Sequence, residues 1–178
     1  MGDGGMVVTD NKTIYDWMIK YRNHGMIDRD HIDFWGMNMR LQPLQAIVAI
    51  EGLKKIEKII KKRNENARKL DKELKKLDSH IVLPKRINGY RETFALYMIL
   101  VKKRDQLLRY LNKRRIEAKI HYPIPLNKQK ASKIYNYKQS EFFNANQQSK
   151  RLITLPVHQF LNNKQLNFMI KCIKNFYK

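Results

Sequence analysis

Cysteine is almost missing from this chain: Cys172 is the only one in 178 residues. No internal disulfide can form, and the composition suits a reducing compartment. Acidic residues are scarce as well, with 16 Asp and Glu against 37 Lys and Arg, a formal net charge of +21. Long apolar runs are absent; none approaches the roughly 20 residues that span a bilayer. The opening Met1-Gly2-Asp3-Gly4-Gly5 has neither the basic flank nor the apolar core of a signal peptide. A soluble, cytoplasmic protein with no membrane partner is expected. There is no Gly-Lys-Ser/Thr phosphate loop, no zinc-ligand spacing and no nucleophile elbow. The five histidines, His24, His31, His80, His121 and His158, are scattered. No internal repeat or low-complexity linker is present.

What the chain does contain is enough apolar residue, 43%, to build a core within one domain or parts of two. Its cations are spread over Lys54-Lys55, Lys61-Lys62-Arg63, Lys75-Lys76, Lys102-Lys103-Arg104 and Lys113-Arg114-Arg115. None of these clusters carries the interleaved aromatic residues on which single-stranded bases stack, and none forms a recognition motif. No specific nucleic-acid partner is expected, only attraction to polyanions at low salt.

The stretch from Trp35 to Leu77 organises the rest. It begins with a polar turn, Gly36-Met37-Asn38-Met39-Arg40. Asn38 and Arg40 are two residues apart, so in an extended turn their side chains leave on the same side. Pro43 suits the first turn of a helix. Beyond it Leu44, Ile47, Val48, Leu53, Ile56, Ile60, Ala67, Leu70, Leu74 and Leu77 recur at steps of mostly three and four, an apolar helical stripe. As one helix, Pro43 to Leu77 would extend roughly 50 Å, with Gly52 the place where it would break.

Around this stretch, Gly5–Thr9 reads as a strand and Lys12–Tyr21 as a helix, with Met26–Phe34 a loop. Further on, His80–Pro84 and Thr93–Val101 read as strands separated by Asn88-Gly89. Asp105–Arg114 is a short helix, Ile116–Tyr122 a strand halted by Pro123 and Pro125, and Glu141–Ser149 helical before Leu152–Pro156. Asn162 starts a last helix with Leu166, Met169, Ile170, Ile173 and Phe176 on its buried face. Strand alternating with helix in the back half describes a compact α+β lobe.

The ordered segments go further than periodicity. Gly2-Asp3-Gly4-Gly5-Met6-Val7-Val8-Thr9, Arg22-Asn23-His24-Gly25, Gly36-Met37-Asn38-Met39-Arg40-Leu41 and Leu44-Gln45-Ala46 closely resemble the DegT/DnrJ/StrS family. His121-Tyr122-Pro123-Ile124-Pro125-Leu126 with Gln129, and Leu155-Pro156-Val157, look like its later landmarks. The family comprises fold-type-I, pyridoxal-phosphate-dependent aminotransferases acting on nucleotide-linked keto-sugars, and the resemblance covers nearly the whole chain.

The resemblance implies an α/β fold in three parts. Residues 1–41 would be the tail of the large cofactor-binding domain and 42–77 a long connecting helix. Residues 78–178 would be the small domain, an α+β lobe with a short, mainly antiparallel sheet flanked by helices. It implies that Asn38 reaches the cofactor phosphate in a neighbouring subunit, with amide donors suited to a phosphate oxygen. Arg40 would stand beside it and favour an anionic group. Both also have a local reading, Asn38 capping a turn and Arg40 in a nearby ion pair. His24 either approaches the substrate or shapes its turn. His121 and Tyr122 either line the sugar pocket or end a strand packed by prolines. Asn127 stands where the family commonly has a histidine.

The family's Schiff-base lysine lies just before the Gly-Asp-Gly-Gly segment, where this chain has Met1, and no lysine here sits at the matching place. The implied assembly is a homodimer or a complex with a complementing N-terminal half, inactive as this polypeptide alone. The alternative left open is a basic binding or scaffold module for a polyanion or a partner subunit.

Overall fold

The structure is a computed structural model that describes residues 3–135 and 137–178. Met1 and Gly2, the start of the Gly2–Thr9 segment, lie outside the described residues. The chain forms two compact units, Met1–Ile56 and Glu57–Lys178.

In the first unit, Asn11 caps helix α1, Lys12–Tyr21: its Oδ1 accepts from the Ile14 N–H at 3.1 Å, satisfying one of the helix's orphan donors. Trp17 on α1 stacks on Tyr21 and on Phe34, with centroids 4.6 and 5.6 Å away. Helix α2, Pro43–Leu53, has its proline at the first helical position, and the Gln45 side chain accepts from the Gln42 N–H. The expected strand at Gly5–Thr9 is not formed. A strand needs a ladder partner, and no described segment pairs with this one.

The long helix is also not continuous. α2 ends at Leu53, Lys54 and Lys55 make a turn, and α3 runs Ile56–Leu74, followed by a 3-10 turn at Lys75–Leu77. The Lys55 N–H reaches only three residues back, to Gly52 O at 3.1 Å. The interruption falls two residues beyond the glycine that weakens the helix. The apolar stripe changes character across it. Leu44, Ile47, Ile50 and Leu53 are exposed and α2 buries nothing, whereas Ile60, Ala67, Leu70 and Leu74 on α3 are buried.

In the second unit, three antiparallel strands in the order β1-β2-β3 form a small sheet: β1 Ile81–Val82, β2 Tyr97–Val101 and β3 Leu152–Leu155. Alternation along β2 puts Tyr97, Ile99 and Val101 inside. They join Leu70 and Leu74 of α3, Leu107 and Leu111 of α4 (Arg104–Asn112), Ile153 and Leu155, and Leu166, Met169, Ile170 and Ile173 of α6 (Asn163–Phe176) in one core. The expected face of α6 is thus buried, with Phe176 only partly covered. Asn162 and Gln165 cap α6 reciprocally, at 2.9 and 3.0 Å. Helix α5, Phe143–Arg151, leads directly into β3. The strand expected at Ile116–Tyr122 is reduced to one bridge, Lys119 to Thr154, and those expected at His80–Pro84 and Thr93–Val101 shorten to β1 and β2. An α+β lobe with a short antiparallel sheet flanked by helices is what forms.

Candidate functional site

Residues 36–40 are held against the end of α1 by the backbone. The Met37 N–H donates to Tyr21 O (2.8 Å), the His24 N–H to Met37 O (3.0 Å) and the Met39 N–H to Arg22 O (2.9 Å). A bridge pairs Asn23 with Asn38. The close approach depends on two glycines. Gly25 has φ +75°, and a Cβ there would meet Phe34 O at 1.5 Å; one on Gly36 would meet Gly25 N at 2.4 Å. His24 itself has φ 62°, a conformation uncommon outside glycine and asparagine.

This pairing lays residues 37–39 out extended, and Asn38 and Arg40 leave it on the same side. The Arg40 Nε–H donates to Asn38 Oδ1 at 3.2 Å. Both side chains are exposed. Asn38 keeps its amide N–H donors and Arg40 the rest of its fork for an anion. Arg40 makes no ion pair among the described residues, so the nearby-carboxylate reading is not what this geometry contains. His24, Asn38 and Arg40 are therefore brought together through the paired turn in the first unit.

His121 and Tyr122 belong to the second unit. His121 Nδ1 shares a 3.0 Å hydrogen bond with Oγ1 of the buried Thr154 on β3. Tyr122 packs edge-on to the His121 ring, 5.6 Å away, and stays largely exposed. The His121 side faces a cleft of about 510 Å³ shared with Arg63, Arg115 and Phe168, among others. Asn127 is buried, its Nδ2 donating to Asn146 Oδ1 at 3.2 Å. Sequence reasoning did not single out Thr154 and Arg63, which reach His121's surroundings from distant parts of the chain, or the nearby Arg115. Among the described residues no group of three His, Cys, Asp or Glu could hold a metal ion.

A second polar cluster braces this unit. Tyr97 OH donates to Asp71 Oδ1 (2.7 Å), and Arg86 spans Asp71 and Glu92 while lying over the Phe94 and Tyr97 rings. Burial, with the Asp71 carboxylate beside it, pushes the Tyr97 phenol far up, so it stays a donor.

With the geometry in hand, comparison with known proteins is decisive. The model of the DegT/DnrJ/EryC1/StrS aminotransferase family matches residues 1–174. The chain belongs to that family. It is 26% identical over 178 residues to a pleiotropic regulatory protein of Geobacillus stearothermophilus, covering 99% of this chain and 48% of that protein. To dTDP-3-amino-3,6-dideoxy-alpha-D-galactopyranose transaminase of Aneurinibacillus thermoaerophilus it is 27% identical over 174 residues, 97% of this chain and 47% of that protein. The solved DegT DnrJ EryC1 StrS aminotransferase from Brucella abortus superposes with a TM-score of 0.87 at 27% identity, over 94% of this chain and 44% of that one. The chain thus spans about half the length of the curated relatives it matches. Its fold is that of the corresponding part of the fold-type-I aminotransferases, and no described helix is long and apolar enough to cross a membrane.

Proposed function

We propose that residues 1–178 supply one share of a pyridoxal-phosphate-dependent enzyme that moves an amino group, from glutamate, to a nucleotide-linked keto-sugar in the cytoplasm. Residues 1–41 act as the tail of the large domain, 42–77 as the connecting segment and 78–178 as the small domain. The observation that carries the reading is the exposed Asn38–Arg40 pair on a backbone pinned to the Arg22–Gly25 turn.

The donor set fits the cofactor's phosphate: neutral amide N–H groups and a guanidinium, both open to an anion. Asn38 donates to the phosphate and Arg40 adds charge beside it, in the active site of a dimer. Pyridoxal phosphate, when bound, supplies the carbonyl that takes up the amino group and the ring that draws off electrons. His24 approaches the substrate from the same turn. His121, its Nδ1 engaged by Thr154, offers Nε2 to the sugar, with Tyr122 alongside.

Transfer also needs a lysine as covalent anchor and proton carrier, and no lysine of these residues stands at the family's position. The 178-residue polypeptide by itself therefore does not transaminate. It works together with a segment bearing that lysine, in a dimer. The test is to assay the 178-residue polypeptide with pyridoxal phosphate, glutamate and a nucleotide-linked keto-sugar, alone and mixed with a lysine-bearing large-domain segment. Activity is expected only in the mixture. Turnover with a cofactor absorption band from the polypeptide alone would overturn the reading, and so would a mixture with neither complex nor activity. In the active assembly, Asn38→Ala should weaken cofactor binding about tenfold, the worth of about 1.4 kcal/mol for a bond to a charged group.

A second reading, a non-catalytic scaffold, is favoured by the exposed aliphatic residues of α2 and the likeness to a regulatory protein. It requires dimerisation with an intact family member without cofactor uptake.

A further inference from the structure

The surplus of positive charge is not shared between the two units. Residues 1–56 hold seven Lys and Arg and seven Asp and Glu, a balance, whereas residues 57–178 hold 30 and 9, the whole excess of +21. A composition that merely favours lysine would load both units alike. Part of the excess stands on α3 and α6, which lie side by side. Lys69 Nζ donates to Asn163 Oδ1 at 3.4 Å, and Lys174 Nζ to Glu73 Oε2 at 2.5 Å. A groove of about 440 Å³ along them is lined by Lys69, Glu73, Asn167, Lys171, Lys174 and Lys178, among others.

On α3, Lys58, Lys61, Arg68 and Lys72 are exposed at steps of three, seven and four residues, opposite the buried Ile60, Ala67, Leu70 and Leu74. Glu65, the acid on that face, is already paired with Lys62 at 3.5 Å. Helix α6 contains no Asp or Glu, and Lys164, Lys171 and, just past its end, Lys178 recur every seven residues on its exposed side. Glu73 beside the groove is taken up by Lys174 and Lys76. These seven exposed cations pair with no carboxylate among the described residues. Like charges one turn apart repel and destabilise a helix, a strain that an external polyanion relieves.

The groove and the exposed side of α3 carry no exposed apolar or aromatic side chain, and Phe168 lies on the side of α6 that lines the His121 cleft. A surface that enters lipid needs apolar residues to bury, and one that holds single strands needs rings on which bases stack. What fits is a stiff polyanion met through its phosphates. Lysine, which predominates here, is a hydrated point charge without arginine's fixed fork, and contacts to phosphate carry no sequence information. From Lys58 to Lys72 the row extends about 21 Å, the rise of about six base pairs. We propose that the α3–α6 face binds double-stranded nucleic acid along its backbone, without selecting sequence. Spread along the chain, the clusters foretell only attraction at low salt; gathered on adjoining helices, they hold the duplex at physiological salt. The site is independent of the cofactor role of Asn38 and Arg40, and its test needs no transamination.

The experiment titrates the 178-residue protein into a short, fluorescently labelled duplex DNA of scrambled sequence, from about 50 to about 200 mM salt. Anisotropy should report saturable binding with a Kd of about 10 μM or tighter at about 150 mM salt, where diffuse attraction is screened. The logarithm of the binding constant should fall against that of salt with a slope of about −4 or steeper, at least about four phosphates. A second duplex of unrelated sequence should bind within about twofold. Two variants divide the face: Lys61→Gln/Arg68→Gln/Lys72→Gln on α3, and Lys164→Gln/Lys171→Gln/Lys178→Gln on α6 and its end. Each should weaken binding at least about tenfold at about 150 mM salt and flatten the slope by about 2–3, with the melting temperature held or raised. Lys128→Gln/Lys130→Gln/Lys133→Gln makes the same charge change on exposed residues outside the face, and should alter affinity less than about threefold. An equal loss in that control would assign the binding to net charge and overturn the proposal. So would loss of saturable binding by about 150 mM salt, tighter binding of a single strand than of the duplex, adsorption to phosphatidylserine vesicles without duplex binding, or unchanged affinity in both face variants.

Discussion

Replacing Gly25 by alanine should unfasten the turn that carries Asn38. The added Cβ would sit 1.5 Å from Phe34 O, where ordinary contact begins near 3.4 Å, so two stretches of backbone must part by about 2 Å. A left-handed alanine costs about 1–2 kcal/mol by itself. The separation also breaks the bonds of Met37 to Tyr21, His24 to Met37 and Met39 to Arg22, at about 1 kcal/mol apiece. The expected loss is roughly 4–5 kcal/mol for this part of the molecule, ample to open it locally. Gly52→Ala is the matched control. It lies within α2 with nothing within 4 Å of the new Cβ, and should stabilise by about 0.5–1 kcal/mol. Hydrogen exchange at the His24, Met37 and Met39 amides, with chemical denaturation, measures both. Full protection of those amides in Gly25→Ala would refute the reasoning.

Tyr97→Phe removes a buried hydroxyl's bond to Asp71 and should cost about 1.5–3 kcal/mol in denaturant unfolding, since the acceptor is charged. An unaltered midpoint would show that the Asp71–Arg86 pair needs no third member. The hydrogen bond from Lys174, joined by one from Lys76, holds the Glu73 carboxyl down at about 2, against an ordinary 4.5. Its folded-state value is depressed, so its contribution is complete above about pH 4.5 and disappears as the pH falls toward 2. Glu73→Gln should therefore flatten the acid limb of the stability curve in that window and little else. Tyr177, partly buried and raised to about 12 chiefly by that burial, should ionise only well above pH 10 in an ultraviolet titration. Its stabilising effect lasts below pH 10 and declines between about 10 and 12.

The helices were legible from the chain because their information is local. The period of Lys12–Tyr21 and the Asn162 cap marked α1 and α6 to within a residue, and the family motifs led to the family itself. Strands were read less well, since pairing decides them. Val7-Val8 has strand-forming residues but no ladder partner, and Ile116–Tyr122 finds one only at Thr154. The two-residue spacing foretold that Asn38 and Arg40 would leave together, as their 3.2 Å bond requires. Nothing local could foretell that Thr154 would engage His121 from 33 positions away, or that Arg63 and Arg115 would share a cleft. Those juxtapositions come from tertiary folding, and a dispersed surplus of cations conceals them.

The small sheet is stopped at both rims. On one side β1 offers two residues; on the other, β3 is met by the Lys119 bridge, which takes both backbone groups of Thr154. A foreign strand seeking a template to extend finds only a residue or two on either flank, one of them beside a lysine. Fibril-like growth from this lobe is thereby discouraged, even though its sheet has just three members.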